Sequence, residues 1–79
     1  SRSLKDKRMV LRRVKDRIAK FNVAVAEIEY QDLWQRAALG VVTISTSEAH
    51  AQQELGRVVD EIERVEPGVI SRTGVEFLA

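Results

Sequence analysis

Apolar residues change their spacing at Asn22, and this change limits the fold more than any other feature of the sequence. Before it they recur at helical intervals, which predicts a helix over residues 4–20 with Ser3 as its N-cap. The apolar stripe of this helix consists of Leu4, Val10, Leu11, Val14, Ile18 and Phe21. From Asn22 onward apolar and polar residues alternate, which predicts a strand over residues 22–30. A chain of 79 residues with both patterns is expected to form a single domain.

The rest of the chain shows the same two patterns again. Residues 31–35 indicate a short connection and residues 36–45 a second strand, so the two strands are expected to form an antiparallel hairpin. A second helix follows and ends at Pro67-Gly68. Its candidate N-caps are Ser45, Thr46 and Ser47. Residues 69–78 are predicted to form a last strand, although Gly74 weakens it.

The order α-β-β-α-β predicts an α+β fold of the ferredoxin-like type, a two-layer sandwich of an antiparallel sheet with two helices on one face. The β-α-β-β-α-β order of that fold lacks its first strand here. That strand lies between the third and the last, so without it the hairpin and the last strand could not pair. We therefore expect residues 1–79 to be a single domain, incomplete at its N-terminus, which residues before Ser1 or another chain would complete.

The net charge of +1 conceals a strong asymmetry along the chain. Residues 1–20 hold nine Lys and Arg residues against two carboxylates, a net charge of +7, whereas the rest holds four against ten, a net charge of −6. Four cations of the first helix share one exposed face, which Arg13 and Lys20 extend. The four are Lys5, Arg8, Arg12 and Lys15. Such a face can contact successive phosphates, but it is more often typical of a solvated helix or of a basic helix beside the acidic second helix.

The predicted connection holds the only tryptophan, Trp34, close to Arg36. Trp and Arg are favoured anchors at interfaces, and an aromatic ring can stack on a base. Trp34 can equally close the core while its ring nitrogen donates to a nearby carbonyl. With both alternatives open, Trp34 and Arg36 join the four helix cations as candidate phosphate- or partner-binding residues.

The second predicted strand is apolar on both faces. Leu39 and Val41 point one way and Val42 the other, whereas an antiparallel sheet with one solvated face should alternate more cleanly. Either this strand is covered on both sides or its outer face meets a partner. Leu39, Val41 and Val42 are therefore the candidate dimer face, and a homodimer is expected.

Two single residues differ from their surroundings. Lys7 falls within the apolar stripe of the first helix, and we expect its ammonium to extend past that stripe to water. An ion pair with Glu27 or Glu29 is the alternative. His50, the only histidine, is expected at the surface, because a lone histidine makes a poor metal site.

The sequence does not predict catalysis. It contains no glycine-rich phosphate loop, no nucleophile–histidine spacing and no paired carboxylates with a reason for shifted pKa values, so we expect a protein that is not an enzyme and uses no cofactor or metal. The chain has no cysteine, and none of its apolar runs approaches the roughly 20 residues that cross a membrane. These features lead us to expect a cytoplasmic protein without membrane partners.

Three segments in order resemble the YlxP-like family of bacterial proteins, a domain of unknown function. They are residues 3–8 (SLKDKR), 21–27 (FNVAVAE) and 31–37 (QDLWQRA). The resemblance implies a ferredoxin-like pattern with a strand and a Pro-Gly turn ahead of the first segment, which this sequence does not show. It also implies a role near the ribosome, because family genes often neighbour those of translation and ribosome maturation. It implies no active site.

Two functional hypotheses follow. In the first, the chain is a non-catalytic accessory protein that binds ribosomal RNA or a ribosomal subunit through its basic first helix, with Trp34 and Arg36 adding stacking. In the second, it is a homodimeric interaction module that buries its outer sheet face. A small-ligand regulatory domain at such a dimer interface is a third alternative, on fold analogy alone.

Overall fold

The computed structural model of the chain describes residues 4–30, 33 and 36–78. Along the chain, these residues form a helix, two strands and a second helix. The elements are α1 Leu4–Ile18, β1 Ala24–Glu29, β2 Ala38–Val42 and α2 Glu48–Val65. The α+β class and the first four predicted elements are confirmed, and both strands are shorter than predicted.

The apolar stripe of α1 forms much of the core. Leu11, Val14 and Ile18 are buried there, and Val58 of α2 packs with them as the fourth buried apolar side chain of the described residues. The chain leaves the helix after Ile18, where the backbone N–H of Phe21 donates to the carbonyl of Ile18 at 3.0 Å. Ser3, the predicted N-cap, lies outside the described residues.

Ser47 is the residue that caps α2. Its backbone is extended, with φ −134° and ψ 129°, and its hydroxyl accepts the backbone N–H of His50 at 3.2 Å. At the other end, the backbone N–H of Glu66 donates to the carbonyl of Ile62 at 2.8 Å. Gly68 then takes a φ of +77°, the left-handed conformation that commonly follows a helix. The predicted end at Pro67-Gly68 is confirmed.

The hairpin pairs β1 and β2 in antiparallel register. Ala24 lies opposite Val42, and Glu27 lies opposite Leu39; the register shifts between Glu27 and Glu29. Directly opposed residues project from the same face of a sheet, and neighbours along a strand project from opposite faces. One face therefore carries Val25, Glu27, Leu39 and Val41, and the other carries Ala24, Ala26, Gly40 and Val42.

Residues 69–78 form no strand, which corrects the prediction of a last strand there. A strand is stable only where a neighbour takes up its backbone hydrogen bonds, and within the described residues β1 and β2 pair with each other alone. Most apolar side chains of the segment stay exposed, among them Val69, Val75 and Leu78. The composition of a segment carries no information on whether a pairing partner is present.

β1 returns alongside α1, and this sets the position of the candidate site. Lys7, in the first turn of α1, lies 3.4 Å from the carboxylate of Glu27 near the end of β1. The far end of the hairpin therefore lies against the beginning of α1. Of the helices in the described part of the chain, neither has the length and apolar character needed to cross a membrane.

Candidate functional site

The basic face of α1 consists of the four predicted cations Lys5, Arg8, Arg12 and Lys15. At 3.6 residues per turn they fall within an arc of about 80° and extend over about 15 Å. Lys5, Arg8 and Arg12 are exposed, and Lys15 is half-buried. None of the four makes an ion pair with any described residue. No carboxylate of the described residues therefore neutralises their charge.

Three other cations of this region face α2. The Arg13 guanidinium contacts the carboxylate of Glu66, and Arg17 and Lys20 lie 3.8 and 3.7 Å from the carboxylate of Glu61. Pairs formed in this order show that the two helices run in opposite directions. Arg13 and Lys20 were predicted to extend the basic face, and the structure corrects this, since the acidic second helix neutralises both.

Glu61 is the centre of this ion-pair cluster. Arg64, one turn further along α2, donates to both carboxylate oxygens of Glu61, from Nη2 at 2.6 Å and from Nε at 3.1 Å. These hydrogen bonds, aided by the charges of Arg64, Lys20 and Arg17, hold the pKa of Glu61 below its ordinary value of 4.5. The same pairing raises the pKa of Arg64. Glu61 therefore stays ionised at neutral pH, and its contacts with Arg17 and Lys20 join the two ends of the helix pair.

Lys7 is buried, with 9% of its surface exposed, so the expectation that it reaches water is wrong. Its ammonium donates to the carbonyl of Leu33 at 2.5 Å and to the carbonyl of Tyr30, and it lies 3.4 Å from Glu27. The alternative, an ion pair with Glu27, is confirmed. The return of β1 brings a carboxylate and two carbonyls to the end of this side chain, so its charge is satisfied without solvent.

Tyr30 and Arg36 lie on either side of the connection between the strands. Tyr30 has a φ of 65°, which is uncommon for a residue other than glycine. The Arg36 guanidinium lies over its ring, 5.1 Å from the centroid. Trp34 lies outside the described residues, so its proposed stacking role stays a prediction. Sequence reasoning missed Tyr30; the available signal was an aromatic residue at the end of a strand, across a short connection from an arginine.

The candidate dimer face is divided between two sides of the hairpin. Leu39 and Val41 share the side of Glu27, which faces Lys7 of α1, and both are half-buried. Only Val42 lies on the outward side, where it is 69% exposed. The prediction that Val42 points away from the side of Leu39 and Val41 is confirmed. Which side faces α1 could not be predicted, because that depends on contacts between the helix and the sheet.

His50 is exposed at the start of α2, as predicted, with Nδ1 3.3 Å from the hydroxyl of Ser45. Ser45 also accepts the backbone N–H of Ser47 at 3.2 Å, so these contacts support the helix cap. Over residues 4–30, 33 and 36–78, no three His, Asp or Glu side chains are grouped so that they could hold a metal ion.

Comparison with known proteins agrees with the resemblance of the three segments. A family model described as "Protein of unknown function (DUF503)" matches residues 1–74. The chain is 48% identical over 58 residues to "Uncharacterized protein YlxP" of Bacillus subtilis (strain 168). That match covers 72% of this chain and 63% of the relative, slightly under two thirds of its length. No solved structure matches the chain significantly. The chain therefore belongs to the YlxP-like DUF503 family.

Proposed function

We propose that this chain is a non-catalytic accessory domain that binds RNA through the basic face of α1. The observation that carries the proposal is the division of the cations along one helix. Arg13, Arg17 and Lys20 are paired with carboxylates of α2, whereas the four cations of the basic face have no such partner among the described residues. Ribosomal RNA is the target that membership of the YlxP-like family suggests.

The energetics of such a face follow from counterion release. Each phosphate that a cation neutralises frees condensed counterions, so log K falls with log salt by about 0.7 per contact for single strands and about 0.9 for duplexes. Cations that already pair with carboxylates contribute little, because binding would first have to break those pairs. A chain with a net charge of +1 can therefore bind a polyanion through one local face.

Two double variants of α1 test this proposal. Arg8→Gln with Arg12→Gln and Arg13→Gln with Arg17→Gln each remove two positive charges from the same helix. We expect the first variant to weaken binding to a ribosomal RNA fragment and to reduce the salt slope by about 1.4 to 1.8. The second should retain most of the affinity and the parent's slope, and should instead lose stability, since it breaks ion pairs to Glu66 and Glu61.

Fluorescence anisotropy over a salt series measures both quantities, and circular dichroism confirms that each variant is folded. Equal losses of affinity in the two variants would mean that net charge alone matters, and the basic face would lose its special role. An RNA affinity that neither variant changes would overturn the proposal.

A homodimer through the outward face of the hairpin is the second candidate function. The observation that favours it is the exposure of Ile28, Val42 and Ile44 at 58%, 69% and 84%. Burial of these side chains against a second copy would remove apolar surface from water, and such an interface is nearly insensitive to salt. Sedimentation velocity tests it, with Val42→Lys as the disrupting variant and Val41→Ala, on the inward side, as the control. A parent chain that sediments as a monomer at micromolar concentration would exclude this candidate.

We also propose that the two helices and the hairpin belong to a ferredoxin-like sandwich. In that fold a further strand would pair with the edge of β2 that has no partner among the described residues, and this edge supports the arrangement. Amide exchange of β2 tests it, because the backbone N–H groups that point away from β1 exchange slowly only if another strand accepts them. A cytoplasmic location is part of the same proposal, and cell fractionation checks it.

A further inference from the structure

The end of the hairpin is held in an unusual conformation. Tyr30 has a left-handed backbone, which crowds the side chain of any residue other than glycine. Lys7 donates to the carbonyl of Tyr30 itself and to that of Leu33, while its ion pair with Glu27 fixes the ammonium from the other side. A buried side chain of α1 thus determines how the residue after β1 is oriented.

The ring that this conformation orients is covered on one side by a planar cation. The Arg36 guanidinium lies 5.1 Å from the centroid of Tyr30, and Tyr30 stays 37% exposed while Arg36 is exposed. A guanidinium and an aromatic ring each offer a flat surface on which a base can stack, and the guanidinium also attracts phosphate. The pair therefore offers flat surfaces for stacking, whereas the basic face offers charges for phosphate contacts.

The stacking pair is attached to the helix that carries the basic face. Lys7, in the first turn of α1, donates to the carbonyl of Tyr30. Around the helix axis Lys7 lies about 80–160° from the four cations of the basic face, so a bound strand has to pass around α1 to reach Tyr30 and Arg36. A strand whose bases are not held in a duplex can make both contacts.

We propose that Tyr30 and Arg36 form a stacking platform for an unpaired base, so that the RNA bound by this chain is single-stranded. The inference rests on the proposed function, because the basic face supplies the phosphate contacts that bring the strand to the platform. A paired base lies within a duplex and offers no free face, whereas an unpaired base can stack on an aromatic ring or a guanidinium plane. The platform thus selects for unpaired segments of any sequence.

The experiment compares three probes by fluorescence anisotropy: a short oligouridylate, the same backbone without bases, and an RNA hairpin stem. The intact chain should bind the oligouridylate about tenfold more tightly than the abasic strand and more tightly than the stem. Tyr30→Leu should lower affinity for oligouridylate about tenfold with an unchanged salt slope, since no charge is lost. Arg36→Lys keeps the charge and loses the planar stacking surface, so it should also lower the affinity for oligouridylate.

These outcomes separate the platform from the basic face. If the chain binds all three probes equally and Tyr30→Leu has no effect, while Arg8→Gln with Arg12→Gln still weakens binding, the platform is refuted and the basic face stands. If no probe binds at low salt, the proposed function fails as a whole. A loss of base-dependent affinity in Trp34→Leu with none in Tyr30→Leu would assign stacking to Trp34 and overturn the proposal.

Discussion

Replacing Lys7 with Met should remove the contact that fixes the hairpin to α1. Met has a similar length and fits an apolar helix face, so the substitution removes charge and donors with little change in volume. Two backbone carbonyls, of Tyr30 and Leu33, lose their donor, and Glu27 loses its charge partner. One oxygen of Glu27 is buried without any hydrogen bond within the described residues, so the ammonium is what compensates its charge there.

The size of the effect follows from how these groups are buried. Breaking a buried ion pair by removing one partner costs about 3–5 kcal/mol, because an uncompensated charge stays behind. A fifth of the Glu27 side chain is exposed, and the two carbonyls belong to exposed residues, so water can partly replace the lost donor. The lower end, about 3 kcal/mol, is therefore expected for Lys7→Met. A chain of this length has a total stability of only about 4–12 kcal/mol, so the loss would be easy to detect.

A double-mutant cycle separates the ion pair from its surroundings. Glu27→Leu should cost about 1 kcal/mol, because Lys7 keeps both carbonyls, and the combined variant should cost about 2 kcal/mol, since apolar side chains replace a buried pair at little net cost. The coupling energy between Lys7 and Glu27 is then about 2 kcal/mol. Urea unfolding measures these costs, and the midpoint for Lys7→Met should fall by about 2 M. Additive costs of the two single substitutions, about 4 kcal/mol in the double variant, would refute the reasoning.

Three further perturbations test other parts of the structure. Ser47→Ala removes the cap that accepts the N–H of His50, and it should cost about 1 kcal/mol and lower Tm by about 5 °C in a thermal melt followed by circular dichroism. Glu61 has a lowered pKa in the folded state, so its stabilising contribution is present above pH 4.5 and is lost as the pH falls through the folded value. The stability difference between the parent and Glu61→Gln in urea should therefore shrink below pH 4.5, and a constant difference would contradict the ion-pair cluster. Gly56→Ala and Gly68→Ala should have opposite signs in the same assay. The first should raise the free energy of unfolding by about 0.5–1 kcal/mol, since the added Cβ meets no atom within 4 Å at an exposed position of α2. The second should lower it by about 1 kcal/mol, because Gly68 has a φ of +77°.

The helices and the hairpin could be predicted because their signals are local. The apolar stripe of α1, the hydroxyl group at Ser47 and the stop at Pro67-Gly68 each act within a few residues, so the sequence around them determines the outcome. Residues 69–78 were predicted to form a strand and form none. A strand depends on hydrogen bonds from another segment, and a pattern along one segment contains no information about that partner.

The candidate site shows the same division between local and distant causes. Helical spacing was sufficient to place Lys5, Arg8, Arg12 and Lys15 on one face. It was insufficient for Lys7, whose carbonyl partners lie 23 and 26 residues away in the chain, and for the orientation of β2 relative to α1. Lys7 looked like an intrusion in an apolar stripe, and its partners were visible only as two candidate carboxylates. Lys7, the one charged residue within the apolar stripe, is thus the residue that holds the hairpin against α1.

The basic face of α1 is a consequence of how the helix is packed. Burial of Leu11, Val14 and Ile18 fixes the rotation of α1 about its axis, and that rotation turns Arg13 and Arg17 toward the carboxylates of α2. A stripe shifted by a single position would rotate the helix by about 100° and could direct a different set of its cations toward α2. Which charges remain available for a polyanion is therefore decided by the apolar residues of the helix. Substitutions in the core that reorient α1 should change RNA affinity without removing a single charge.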